Sequence, residues 1–249
     1  MDALTIAAAS GLKARMESLE MLANNIANQS SPGYKADREF YSLYIAPDAL
    51  ASLNADVIPI PPTVPVIERH WTDYTQGVLN ETGNPLHLAL SGKGFFTVAG
   101  PSGPLYTRNG SFRLSATGEL ETQEGFAVLG QGGQPIRLNP AQPVDITRTG
   151  EVRQGGAAIA QLGLVDFRQP EALAKHSGTY FQLNDPSIQP GPVQDAAVHQ
   201  GKLEAANFSP AESAVRLVSV MRQFEMLQKA IQIGSEMGRR SEEVARVGS

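Results

Sequence analysis

Apolar residues near the start of the chain follow a seven-residue rhythm. Thr5, Leu12, Leu19 and Ile26 share one heptad position, and Ala9, Met16 and Ala23 fall four residues after the first three of them. This is an a/d seam of about three heptads. Leu4, Ala8 and Leu22 widen the stripe, while Lys13, Arg15, Glu17 and Glu20 populate other faces. The pattern predicts a helix that stops at Ser30-Ser31-Pro32-Gly33, where proline disfavours helical geometry for its predecessor and glycine opens a turn.

The other end of the chain carries a second seam. Ser209-Pro210-Ala211-Glu212 supplies a serine N-cap, a proline at the first helical position and a glutamate at the third, which is a capping box. From there Leu217, Phe224 and Ile231 repeat every seven residues. Ser213, Val220, Leu227 and Gly234 fill the companion position, and Val215, Val218 and Met221 broaden the face. At 1.5 Å per residue the two helices would be about 40 and 50 Å long. Two lone helices are marginal in water, and each stripe is wider than a two-helix contact can cover. The surplus faces are therefore expected to meet other copies of the chain, with termini that are loose in the monomer and fold on assembly.

Between Trp71 and Gly201 the texture is that of short strands: Phe95-Phe96-Thr97-Val98, Leu105-Tyr106-Thr107-Arg108, Ser111-Phe112-Arg113-Leu114, Phe126-Ala127-Val128-Leu129 and Ala160 to Phe167. Asn109-Gly110 is a two-residue hairpin signal, and Gly118 and Gly125 sit in further turn signals. Pro47, Pro59, Pro61, Pro62 and Pro65 forbid a helix or a central strand, so an extended arm is expected there. The expected fold class is α+β, with long N- and C-terminal helices forming a coiled-coil-like pair, a central all-β domain and an extended proline-rich connector. The expected boundaries are 1–31 for the first helix, 32–75 for the connector, 76–204 for the β domain and 205–249 for the last helix.

Composition then narrows the function classes. The 249 residues carry 20 basic and 25 acidic side chains, a formal net charge of −5, so no electrostatic footprint for a nucleic-acid backbone or an anionic membrane is present. Cysteine is absent, which removes disulfides, thiolate nucleophiles and cysteine zinc sites. Asp2 sits where a basic signal-peptide region belongs, and no apolar run is long enough to span a bilayer; taken alone, these labels read as cytoplasmic. His70, His87, His176 and His199 are scattered without metal-ligand spacing. Ser91-Gly92-Lys93-Gly94 lacks the spacing of a phosphate loop, and Gly130-Gln131-Gly132-Gly133 precedes Gln134-Pro135 instead of a helix. No catalytic residue, metal or cofactor is expected. The competing classes are a secreted or periplasmic hydrolase and a β-rich binding module.

Asn24, Asn25 and Asn28 crowd the end of the first helix although asparagine is a poor interior helix residue. They read either as a fraying cap or as amides that fix register between neighbouring helices. The block Ala23-Asn24-Asn25-Ile26-Ala27-Asn28 followed by Pro32-Gly33-Tyr34-Lys35 resembles a signature of the flagellar rod and hook proteins. Thr75-Gln76-Gly77, Thr82-Gly83-Asn84-Pro85-Leu86, Gly92-Lys93-Gly94-Phe95-Phe96, Tyr106 to Phe112, Gly201-Lys202-Leu203-Glu204 and Arg222-Gln223-Phe224-Glu225 resemble further family blocks in family order. His87 stands where the family commonly has aspartate, and Ala206-Asn207-Phe208 where it has Ser-Asn-Val. Length and the uninterrupted β region resemble the rod proteins more than the longer hook protein, and the Arg222 block inclines to the proximal rod type.

The resemblance implies a structural subunit of the flagellar basal body that spans the periplasm. It would be exported by the flagellar type III apparatus without a cleaved signal and polymerise into a torque-bearing helical tube. Its partners would be itself, neighbouring rod proteins and that export apparatus, with no nucleic acid and no membrane insertion. The expected assembly interface comprises Leu12, Met16, Leu19, Asn24, Asn25, Ile26, Asn28, Leu217, Val220, Phe224, Leu227 and Ile231.

Overall fold

The computed structural model describes residues 3–45, 63–185 and 187–247. The chain divides into two compact units, one of Met1–Ala27, Asp37–Trp71 and Ser209–Ser249, the other of Asn28–Ala36 and Thr72–Phe208. The first unit holds two helices, α1 (Ala3–Ala27) and α2 (Pro210–Val247), and a two-stranded sheet of β1 (Asp37–Ile45) and β2 (Thr63–Thr72). The start of α2 is the predicted cap: Ser209 Oγ accepts from the Glu212 N–H at 3.4 Å, and Pro210 opens the helix where its missing N–H costs nothing.

The α+β fold expected around a coiled-coil-like pair of long terminal helices is overturned. The described chain holds seventeen strands, most of them in one all-β unit, and its two helices are unequal at 25 and 38 residues. Among the described side chains of α1 the buried positions are Gly11, Ala14, Ser18, Met21, Leu22 and Asn25, one or two residues ahead of the expected seam. Four of the six, Gly11, Ala14, Ser18 and Asn25, are small or polar, so no ladder of interlocking apolar knobs runs between the helices. Where α1 and α2 do touch, the buried apolar cluster is confined to Met21, Leu22 and Val220, with Leu19 and Leu217 against it. An extended connector is overturned as well, because β1 and β2 are paired strands. Phe40-Tyr41-Ser42-Leu43-Tyr44-Ile45 and Thr63-Val64-Pro65-Val66-Ile67 are rich in aromatic and β-branched residues that favour a pleated surface. Pro47, Pro59, Pro61 and Pro62 lie outside the described residues.

The second unit is all β, assembled from several small antiparallel sheets. Its largest has the order Leu173–Ser177, Tyr180–Leu183, Gly103–Thr107, Phe95–Gly100, Leu164–Asp166, Gly191–Pro192. A three-stranded sheet runs Ala157–Gln161, Glu151–Gln154, Val144–Ile146, and the two-stranded pairs include Leu88–Ser91 with Ala197–Gln200 and Leu79–Glu81 with Lys202–Glu204. Alternation along the strands sends Leu88, Leu90, Phe96, Val98, Leu120, Ile136, Val152 and Val198 into one core. Phe95, Tyr106, Phe167, Leu173 and Phe181 form a second, aromatic core on the opposite face. Each cluster is held by edge-on ring contacts, Phe96 with Phe112 at 5.2 Å and Tyr106 with Phe167 at 4.9 Å.

The hairpin expected at Asn109-Gly110 does not form, because Gly103–Thr107 and Arg113–Leu114 on either side of it pair with other strands. Gly110 instead sits against Leu88, where an added Cβ would stand 1.7 Å from the carbonyl oxygen. Backbone cannot yield there as a flexible side chain could. Gly110→Ala is expected to cost at least about 2 kcal/mol in urea unfolding of the full chain, by overpacking a site that has no room.

Candidate functional site

Three charged side chains from distant parts of the chain meet inside the β unit. Glu204, fully buried at the end of its strand, accepts from Lys35 Nζ at 2.6 Å and from the Gly77 N–H at 2.9 Å on Oε1, and faces Arg108 Nη1 at 3.4 Å on Oε2. Lys35 Nζ also donates to the Thr75 carbonyl at 2.7 Å. Arg108 Nη2 donates to the Gly92 carbonyl at 2.6 Å, and its guanidinium stands 5.5 Å from the centre of the Phe95 ring. Burial pushes both the Lys35 ammonium and the Arg108 guanidinium below their usual pKa, and the Glu204 carboxylate opposes that loss in each case. Two cations and one carboxylate out of water need these carbonyl acceptors to remain charged.

The local backbone explains how they meet. Gly33 adopts φ +67°, and an added Cβ would lie 2.3 Å from the Arg108 carbonyl carbon, so only glycine lets residues 28–36 press onto the Arg108 strand end. The Gly33 N–H donates to the Glu204 carbonyl at 2.7 Å. Lys175 Nζ donates to the Lys35 carbonyl at 2.6 Å and covers the Tyr34 ring at 4.4 Å. Asn207 closes the knot, with Oδ1 accepting from the Ala36 N–H at 2.8 Å and Nδ2 donating to the Asp73 carbonyl at 2.6 Å.

The phosphate-loop candidate is part of the same scaffold. The Gly92 N–H donates to Gln76 Oε1, the Gly92 carbonyl receives Arg108, and Lys93 is exposed. Gly130 to Gly133 form a turn closed by the Gly133 N–H on the Gly130 carbonyl. Among the described residues no three His, Cys, Asp or Glu side chains gather as metal ligands, and no helix is long and apolar enough to cross a membrane.

In the helical unit, the residues expected at an interface separate into two groups. Asn25 is buried and spent within its own chain: Nδ2 donates to the Asp37 carbonyl at 2.9 Å and Oδ1 accepts from the Asp37 N–H at 3.1 Å. Beside it Ser18 donates to Glu39 at 2.6 Å, and Glu39 receives Arg216 of α2 at 2.7 Å. Val220 is buried, whereas Leu217, Phe224, Leu227 and Ile231 are half-buried along one side of α2. Leu12, Leu19 and Ile26 are half-buried, Met16 and Asn24 exposed, and Asn28 accepts from Ser31 in the turn that follows α1. At about 100° per residue, the row Leu12, Met16, Leu19, Ala23 and Ile26 sits roughly 140° around α1 from its buried row. A second apolar surface, of which the sequence reading named only Val215 and placed it on the seam face, lies on the far side of α2: Val215, Met226, Ile233 and Met237 are 58–73% exposed. These four fall within about 40° of one another on the helix.

Comparison with known proteins places these elements in context. Residues 7–35 match the flagella basal body rod protein family, residues 89–154 the flagellar hook protein FlgE/F/G D1 domain, and residues 199–243 the flagellar basal body rod FlgEFG protein C-terminal family. Lys35, Arg108 and Glu204 fall one in each matched stretch. The chain is 32% identical over 222 residues to the flagellar basal-body rod protein FlgF of Caulobacter vibrioides, covering 89% of each. It is 33% identical to the rod protein FlgG of Agrobacterium fabrum, covering 95% of this chain and 97% of that one. With the FlgG of Bacillus subtilis the identity is 30%, over 92% of this chain and 93% of the relative.

Replacing Glu204 with Gln strips the carboxylate from two buried cations and is expected to cost about 3–5 kcal/mol in denaturant unfolding. Arg137→Gln, which breaks a pair whose arginine is 75% exposed, is expected to cost under about 1 kcal/mol in the same measurement. Asn25→Leu leaves a backbone N–H and C=O of Asp37 without their amide partner, and a loss of about 1–3 kcal/mol is expected.

Proposed function

Since the chain belongs to the flagellar basal-body rod protein family, we propose that it polymerises with itself and with neighbouring rod proteins into a helical tube that carries torque across the periplasm. Its role is structural and not enzymatic: it is a subunit of the basal-body rod, assembled with other rod components. Within the family the reading leans to the FlgF type, supported by the Caulobacter relative and by the Arg222-Gln223-Phe224-Glu225 block.

The observation that carries the polymer reading is the surplus of apolar surface on the helices. Met16 of α1, 51% exposed, and the stripe of Val215, Met226, Ile233 and Met237 on α2 remain open to water, while Leu12 and Ile26 are only half-buried. A monomer gains nothing from such side chains, and large apolar residues exposed along one helix side mark an interaction site, here interleaved with Ser219 and Arg222. Two different faces per subunit make heterologous contacts, which propagate as a helix when the rotation does not close. Leu12, Met16, Leu19, Asn24 and Ile26 on α1 would contribute the first face. Leu217, Phe224, Leu227 and Ile231 would flank it from α2, with Val220 and Asn25 supporting it from within, and Asn28 setting the turn that follows.

We further propose that the subunit passes unfolded through the flagellar type III export apparatus. The buried charge cluster supports that route, because Lys35, Arg108 and Glu204 come together only after nearly the whole β region has emerged, so an incomplete chain cannot close it.

Val215→Lys combined with Ile233→Glu places charges on the outer stripe of α2, where both side chains are exposed. Unfolding free energy of the purified chain is expected to stay within about 0.5 kcal/mol of the parent. Swimming and incorporation into isolated basal bodies are expected to be lost in a strain that depends on this copy. Normal incorporation would show that the stripe is not a contact.

A further inference from the structure

The six methionines of the chain are distributed in a way that core packing does not explain. Met21 is buried, but Met16, Met221, Met226 and Met237 are 47–65% exposed, all in the helical unit. Met226 and Met237 stand on the same outer stripe as Val215 and Ile233, and Met16 belongs to the outer row of α1. A thioether suits such a face, since its unbranched side chain adapts to an imperfectly matched partner. It is also the side chain whose polarity an oxidant can reverse without altering the backbone.

Resting on the assembly reading above, we infer that Met226 and Met237 make subunit association sensitive to oxidation. A hydroperoxide delivers one oxygen atom to an exposed methionine sulfur before the subunit is incorporated, and the sulfoxide then prevents docking of the α2 stripe. In this step the S–O bond forms as the peroxide O–O bond breaks. Sulfur gives up two electrons, and hydrogen peroxide leaves as water. The product replaces an apolar thioether with a strong hydrogen-bond acceptor on a face that docks through apolar contact, at Met237 and at Met226, whose near polar neighbours are Ser219, Arg222 and Gln223, so the apolar contact is lost. Once subunits have stacked, the same sulfurs are covered and the reaction is suppressed. Sensitivity therefore belongs to the free subunit and not to the finished tube.

The test treats the purified full chain with hydrogen peroxide, removes the oxidant, maps the modified methionines by peptide mass spectrometry and follows association by sedimentation against concentration. Oxygen addition is expected at Met226 and Met237 with Met21 unmodified, unchanged helical circular dichroism, and an association threshold raised about tenfold. A Met226→Leu, Met237→Leu chain keeps the apolar stripe and is expected to hold its threshold within about twofold under the same treatment. An oxidised parent chain that associates at its original threshold overturns the inference, as does a double variant that loses as much as the parent. An untreated parent that stays monomeric at every concentration overturns the assembly reading on which the inference stands, and is distinguished by appearing before any oxidant is added.

Discussion

Glu204 is the residue on which the β unit depends, because two cations from far-apart stretches of sequence converge on its carboxylate with water excluded. Lys35 precedes most of the β region, Arg108 lies at a strand end within it, and Glu204 ends its last strand. Removing three charges from water is costly, and the cost is recovered only when all three and their carbonyl partners are in place together. The cluster is therefore poor as a source of net stability and strong as a specifier of geometry. It fixes where the chain enters and where it leaves the unit. Gly33 and Asn207 work to the same end, the first by having no Cβ and the second by bridging Ala36 to Asp73.

What the sequence made legible follows from how local each signal is. The Ser209-Pro210 cap was readable because capping is a contact between residues three apart. Gly118 and Gly125 were readable as turns for the same reason, each N–H closing on the carbonyl three residues back, whereas the hairpin expected at Asn109-Gly110 does not form because the strands on either side of it pair elsewhere. The charge cluster was not, since nothing in Lys35, Arg108 or Glu204 alone separates a buried ion from a solvated one, and partners 169 and 96 residues apart leave no local trace. The pairing of β1 with β2 was hidden by the prolines between them, which drew weight away from the aromatic run ending at Ile45.

The shift on α1 has a different cause. A heptad reading selects the largest apolar residues and so chose Leu12, Met16, Leu19 and Ile26. Burial selected Gly11, Ala14, Ser18 and Asn25, whose small size and hydrogen-bonding groups suit close approach to α2 and to the backbone and carboxylate of β1. The periodicity was real but belonged to a face only half covered, with Leu19 against the α1–α2 cluster and Met16 exposed. An amphipathic pattern states that a face wants burial and does not state against what, so in a chain that assembles, the strongest apolar seam can be the one the monomer leaves partly uncovered.

The two units accordingly obey different rules. In the β unit apolar alternation, glycine turns and paired charges close on one another, and the unit leaves few large apolar side chains outside, Val78 and Ile159 among them. In the helical unit the apolar cluster between α1 and α2 is only a few residues wide, while Val215, Val218, Met221, Met226, Ile233 and Met237 face water. Adding more buried leucine between the two helices would strengthen the monomer and weaken the reason to associate. For a rod subunit that assembles with other rod components, specificity placed in the β unit and exposed apolar surface in the helical unit divides the labour between folding and association.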